Sequence, residues 1–341
     1  MQKCALYLGE TFEHSTARHR AEALSRLGWE VTFINPISFT PRVWPIPGIF
    51  NRLGNVGLPW LVERGVLSQI GKAPFDLVWV DGGSLVGPSL LKKLSRQGGA
   101  LVNYNLDDPF GGRDGNAWRV YLKAVPFYDL LAVVREENVQ EAKALGAKKV
   151  KRVFRSYDPV AHALRPLTAE NQKRWASKVV FIGTWMPERG PFFRRLLELG
   201  VPLTLYGNDW EKAQEFEFLQ RARKGAGLWG DDYALAIQCA KVSLCLLSKG
   251  NRDLHTQRSL EIPALGGLLC AERTREHLAL YEEGKEALFW ETPEECAEVC
   301  RRAIAEPEWA VSIAAAGQRK VRALKLSNDE VVASILQELN L

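Results

Sequence analysis

Glu261 stands in the stretch Arg258-Ser-Leu-Glu-Ile-Pro-Ala-Leu-Gly-Gly267, close to the start of an apolar run and just before a glycine pair. A carboxylate near a helix start can accept hydrogen bonds from sugar hydroxyls. Bare backbone amides at helix ends, at the edge of a parallel sheet, suit the phosphates of a nucleotide. The same spacing is also that of an ordinary αβ unit with a surface glutamate, and the spacing alone does not separate the two. A second set of polar residues follows apolar runs earlier in the chain: Asp81 after Phe75–Val80, and Asp107-Asp108 after Ala100–Asn105. Open α/β sheets bind ligands at such carboxyl ends. Taken singly, each of these aspartates also reads as a helix cap or turn residue.

Metal and redox chemistry find less support. Six cysteines are scattered through 341 residues, with no CxxC pair. Cys296 and Cys300 share a helix face, but no second pair of ligands stands near them in the sequence to complete a zinc site. The expectation is no metal, and buried thiols in a reducing cytoplasm.

The elements that must hold these residues follow from periodicity. Leu254 to Trp290 reads helix, glycine turn, strand, helix, glycine turn, strand, the rhythm of a parallel αβαβ unit. Gly266-Gly267 end the first helix where a left-handed turn is needed. At the other end of the chain, Cys4–Leu8, a polar loop, Ala17–Leu27 and Trp29–Ile34 read as β-loop-α-β, with Ser15 or Thr16 as the cap. The loop between them is not GxGxxG, which disfavours a dehydrogenase. Residues 36–72 carry five prolines with Phe39, Trp44, Phe50 and Trp60. They read as a long ordered loop with a short helix at Trp60–Ile70. Such a loop covers an acceptor, rests on a membrane surface or packs on the sheet. Pro159–Ser177 reads as a linker, and a second sheet starts at Val179. The predicted organisation is α/β: two Rossmann-like, doubly wound domains, residues 1–165 and 175–325. A C-terminal amphipathic segment, 326–341, crosses back to the first domain.

The net charge of +5 and a pI near 8.8 come from dispersed lysines and arginines. That pattern favours an anionic small molecule, or weak attraction to an acidic surface, over nucleic acid. The N-terminus turns polar too soon for a signal peptide, and no apolar run reaches the ~18 residues of a spanning helix, so a cytoplasmic protein is expected.

Several segments together resemble a two-domain glycosyltransferase of the GT-B fold, two lobes facing a central cleft, and are most similar to the CgeB-type (spore-maturation-like) group. Phe181-Ile-Gly-Thr-Trp-Met-Pro-Glu-Arg-Gly190 resembles the strand and turn in which a basic residue before glycine meets the donor diphosphate. Arg189 occupies that place, and Gly183 is the strand's glycine. Leu205–Trp210 is similar to the next strand end. Arg258–Gly266 resembles the helix whose glutamate holds the donor ribose, which implies that role for Glu261. Asp253 falls where an acidic residue faces the donor sugar, one methylene shorter than the usual glutamate. Tyr104–Pro109 and Tyr128–Pro159 are similar to the group's first domain. Thr184 replaces a second basic residue often found after the strand's glycine, leaving Lys249 as its substitute.

The resemblance implies a metal-independent glycosyltransferase, a hexosyltransferase using a UDP-sugar as donor substrate and needing no cofactor. A diphosphate clamp of Arg189 and Lys249, supported by Arg258, would neutralise the leaving group. The acceptor, whether glycan, lipid-linked or protein, is not legible. Candidates for its general base are Glu10, Glu13, His14 and Asp81, which follow strands of the first domain; a retaining enzyme needs none. Two other readings stand beside this one: a nucleotide- or sugar-binding scaffold of the same fold without turnover, and a nucleotide-sugar epimerase.

Overall fold

A computed structural model describes residues 2–41, 53–71 and 74–341. Arg42 to Arg52, which hold Trp44, Phe50 and two of the five prolines of the aromatic-rich segment, lie outside the described residues. The chain divides into two compact units. The first comprises residues 1–154 with 250–252 and 328–341, and the second 155–249 with 253–327. The division falls at Phe154, ahead of the boundary near 165 expected from the sequence.

The first unit is a six-stranded parallel sheet in the order β2-β1-β3-β4-β5-β6. The strands are β1 Cys4–Leu8, β2 Glu30–Ile34, β3 Leu77–Asp81, β4 Ala100–Asn105, β5 Leu130–Val133 and β6 Val150–Arg152. Ala5–Leu8, Leu77–Val80 and Leu130–Val133 are buried without alternation. That is the pattern of strands covered on both faces. Crossover helices α1 Thr16–Arg26, α2 Leu58–Ile70, α3 Pro88–Ser95, α4 Arg119–Ala124 and α5 Glu136–Ala144 supply the cover. Ser15, not Thr16, caps α1, its hydroxyl accepting from the Arg18 amide at 3.1 Å. The tripeptide 250–252 joins this unit through Arg252, whose guanidinium bonds Asp108 at 2.8 Å and Glu141 at 2.9 Å.

The second unit repeats the plan, with strand order β12-β11-β10-β7-β8-β9. Its elements run α6 Ala169–Trp175, β7 Ser177–Ile182, α7 Arg189–Glu198, β8 Leu203–Tyr206, α8 Phe216–Leu219 and β9 Arg223–Gly225. There follow α9 Gly230–Gln238, β10 Ala240–Cys245, α10 Arg258–Ala264, β11 Leu269–Glu272, α11 Arg275–Leu280, β12 Leu288–Trp290, α12 Pro293–Ala305 and α13 Pro307–Ala323. The αβαβ rhythm read between Leu254 and Trp290 is present in full. Gly266 takes φ +74° after α10, as the left-handed helix stop requires. Two segments differ from expectation. Residues 159–177, read as linker, contain α6, capped by Thr168. The glycine-rich turn near Gly225 begins as β9, a three-residue edge strand with no apolar run to announce it.

The last helix, α14 Asn328–Gln337, packs on α1 within the first unit. Val331, Val332, Ile335 and Leu336 are buried. Arg26 pairs with Asp329 at 2.8 Å, and Lys149 with Glu338 at 2.6 Å. Among the described residues, no helix is long and apolar enough to cross a membrane.

Candidate functional site

In the second unit, the carboxyl ends of β7, β10 and β11 meet the N-termini of α7 and α10. Gly207 continues β8 so close to β7 that a Cβ on it would lie 1.9 Å from the Gly183 carbonyl oxygen, so only glycine fits. The Trp210 indole donates to that same carbonyl at 3.0 Å. Gly183 is thereby a packing hinge at the strand end, and it places the turn leading to Arg189.

Arg189, the first residue of α7, is 6% exposed. Its guanidinium donates to the Thr184 carbonyl at 2.6 Å and makes longer contacts to the Leu246 and Leu247 carbonyls at 3.4 and 3.5 Å. Its Nε has no partner, and the group lies over the Phe181 ring at 5.3 Å. Burial, with the charge of Arg258 adding to it, pushes its pKa down to about 10. The side chain stays protonated at neutral pH but is short of negative charge. Arg258, the first residue of α10, also has a buried Nε without a partner. Among the described residues, neither arginine forms an ion pair with a carboxylate. Two desolvated cations side by side at helix N-termini make a site for an anion.

Glu261 lies one helical turn beyond Arg258. The Tyr233 hydroxyl, from α9, donates to its Oε2 at 2.6 Å. His162 Nε2 stands 3.5 Å from Oε1. The Asp158 amide donates to His162 Nδ1 at 2.9 Å, so the ring proton is on Nε2 and faces the carboxylate. Pro263 lacks the amide that would bond the Ser259 carbonyl. Tyr281 supplies the missing donor through its hydroxyl at 2.8 Å. The Ser259 hydroxyl bonds His277 Nε2 at 2.7 Å, and His277 Nδ1–H donates to the Glu272 carbonyl at 2.6 Å. Helix α10 is thus pinned to β11 by a chain of buried polar groups. Tyr233, His162, His277 and Tyr281 all escaped the sequence reading. Each acts across a separation that periodicity does not encode.

The other donor-side residues are engaged differently. Lys249 pairs through Nζ with Glu272, while its amide donates to Glu188 at 3.2 Å. Its side chain is largely exposed. Asp253 is buried and bonds Arg155 at 3.0 Å. In the first unit, Asp81 closes a buried bidentate pair with Arg20 at 2.7 and 2.9 Å, and accepts from the Tyr7 hydroxyl at 2.6 Å. That carboxylate balances a cation that is itself 1% exposed, which is a structural role. Glu10 accepts from Asn35 at 2.8 Å and from the Phe12 amide at 3.1 Å. His14 and Glu13 are exposed, and the His14 ring meets Phe12 edge-on. The first unit also holds an apolar pocket of about 370 Å³ whose lining includes Pro59, Trp60, Leu90, Arg119 and Lys123.

One further cluster adds to the sequence reading of the cysteines, which set Cys296 and Cys300 on one helix face with no second pair of ligands. Cys270 joins Cys296 and Cys300, so a third sulfur does stand beside the helical pair.

The geometry has parallels. A family model described as Glycosyl transferase-like matches residues 189–337, the stretch that runs from Arg189 through α10. No curated protein sequence matches the chain significantly. Among solved structures, a sucrose-phosphate synthase (tll1590) from Thermosynechococcus elongatus aligns with a TM-score of 0.71 at 14% identity, covering 100% of this chain and 98% of its own. Anabaena Alr3699/HepE, solved with UDP and glucose, aligns at 0.66 with 13% identity, covering 99% of each chain. A trehalose-6-phosphate synthase, studied for glycosyltransfer with retention, aligns at 0.65 with 13% identity and 99% of each chain. The chain has the two-domain α/β fold of these GT-B proteins.

Proposed function

We propose that the chain is a glycosyltransferase that moves a sugar from a nucleotide-sugar donor to an acceptor hydroxyl. The observation that carries this reading is Arg189, buried with no carboxylate partner, next to the half-buried Arg258, whose charge Glu261 offsets. Together they offer two cations to a diphosphate and a preset carboxylate to a ribose. The match of a glycosyl transferase-like family to the same stretch supports it. The donor is a UDP-sugar in this proposal, and the sugar a hexose, in line with the UDP and glucose bound by the Anabaena relative. The C1–oxygen bond to the diphosphate breaks, and its electron pair leaves with the phosphate. Arg189 and Arg258 stabilise the developing charge, which makes a bound metal unnecessary. The acceptor oxygen bonds C1 and gives up its proton. Glu10, Glu13 and His14 are the exposed candidates for receiving it, whereas Asp81 is held by Arg20.

The acceptor is proposed to be a glycan, a lipid-linked molecule or a protein. Peripheral contact with a membrane is supported by Val56 and Trp60, both exposed, near the apolar pocket and its Arg119 and Lys123. The unpaired thiols support a cytoplasmic setting. One observation favours the reading without turnover: Asp253, at the place expected to face the donor sugar, is tied to Arg155. The two readings part on a panel of UDP-, GDP-, dTDP- and CDP-sugars, followed for transfer or hydrolysis. Turnover that disappears in Arg189→Ala and Glu261→Ala supports the enzyme. Nucleotide binding with no turnover across the panel supports the scaffold, and interconversion of free nucleotide sugars supports an epimerase.

A further inference from the structure

We propose that Cys270, Cys296 and Cys300 form a thiolate site for one soft monovalent cation, copper(I). Cys270 sits in β11, and the other two lie one turn apart on α12. Their three sulfurs lie within 4.8 Å of one another, and all three residues are fully buried. A metal held at ~2.3 Å by three sulfurs in a plane needs them about 4 Å apart. Loading therefore asks for side-chain shifts of at most about 1 Å.

The donor set chooses the ion. Thiolates prefer soft cations, and carboxylate or imidazole ligands would be needed for harder ones. Structural zinc takes four ligands. Among the described residues, no fourth cysteine and no His, Asp or Glu ligand atom joins this cluster. Three-coordinate copper(I) fits what is present. The surroundings are those of a site closed to water, since the cysteines belong to the same apolar core as Leu244, Leu268, Leu288 and Ala297. Each S–H that becomes a Cu–S bond releases its proton to solvent, and no electron is transferred. The site is separate from Arg189 and Glu261, so it stands whether or not the chain transfers sugars.

The test is to equilibrate reduced, intact protein under nitrogen with copper(I) buffered by bicinchoninate. Bound copper and thiolate-to-copper absorbance are then read in the wild type, in Cys270→Ala and Cys300→Ala, and in Cys4→Ser/Cys239→Ser, which removes two cysteines outside the cluster. One copper per chain is expected in the wild type and the double variant, falling to background in the cluster variants that circular dichroism shows to be folded. Should those variants fail to fold, the copper K-edge spectrum of the wild type still decides, because three sulfur neighbours and no nitrogen or oxygen are expected. No copper in the folded wild type overturns the proposal. So does copper kept by a folded cluster variant, copper lost in the double variant, or coordination by nitrogen or oxygen.

Discussion

The Tyr233 hydroxyl lies 2.6 Å from Oε2 of Glu261 and donates to it within the protein interior. This bond fixes the rotamer of a carboxylate that would otherwise swing at the start of a two-turn helix. Tyr233→Phe leaves Glu261 with a lost buried partner, a cost of about 1–3 kcal/mol. Urea unfolding of the second unit should show that loss. Donor affinity should weaken too, and an unchanged midpoint would mean that water replaces the hydroxyl.

Acid should destabilise the second unit through His277. Burial pushes its pKa down to about 4, and a second proton, on Nε2, would cost the ring its bond from the Ser259 hydroxyl, while the Glu272 carbonyl that accepts from Nδ1–H opposes the shift in part. The unfolded chain has its imidazole near 6.5. It therefore binds more protons between these values. The stabilising contribution is complete above about pH 6.5 and is lost as pH falls through 4, amounting to roughly 3 kcal/mol. Unfolding free energy measured at pH 7 and at pH 4.5 should differ accordingly, and His277→Gln should flatten the difference.

Asp81 should matter to the fold of the first unit and leave nucleotide binding intact. Asp81→Ala strands the buried Arg20 guanidinium, which costs about 3–5 kcal/mol. The expected result is an early unfolding transition for that unit, with UDP affinity of the remaining folded protein unchanged. Loss of UDP binding in folded Asp81→Ala would give Asp81 a part in the donor site.

Much of this architecture was legible because its signals are local. The apolar runs of β3, β5 and β10 and the glycine stop at Gly266 mark the parallel sheets. Arg258 and Glu261 announce themselves by spacing on one helix. What the sequence hides is long-range. Tyr233 reaches Glu261 from another helix, His162 reaches it from a segment read as linker, and Cys270 reaches Cys296 from a strand. No periodicity encodes such meetings. Asp81 shows the converse: a carboxylate at a strand end looks chemical until its buried partner, Arg20, is seen. Strand β9 was missed for want of hydrophobic residues, since an edge strand of Arg-Lys-Gly carries polar side chains to solvent.

The central claim is that Arg189 is a buried cation awaiting a diphosphate. Calorimetric titration of UDP into wild-type protein and into Arg189→Ala, without divalent metal, tests it most directly. A charge-assisted bond of about 1.5–3 kcal/mol predicts affinity weaker by about ten- to a hundred-fold in the variant, with its fold intact by circular dichroism. Equal affinity for UDP in the two proteins would contradict the account.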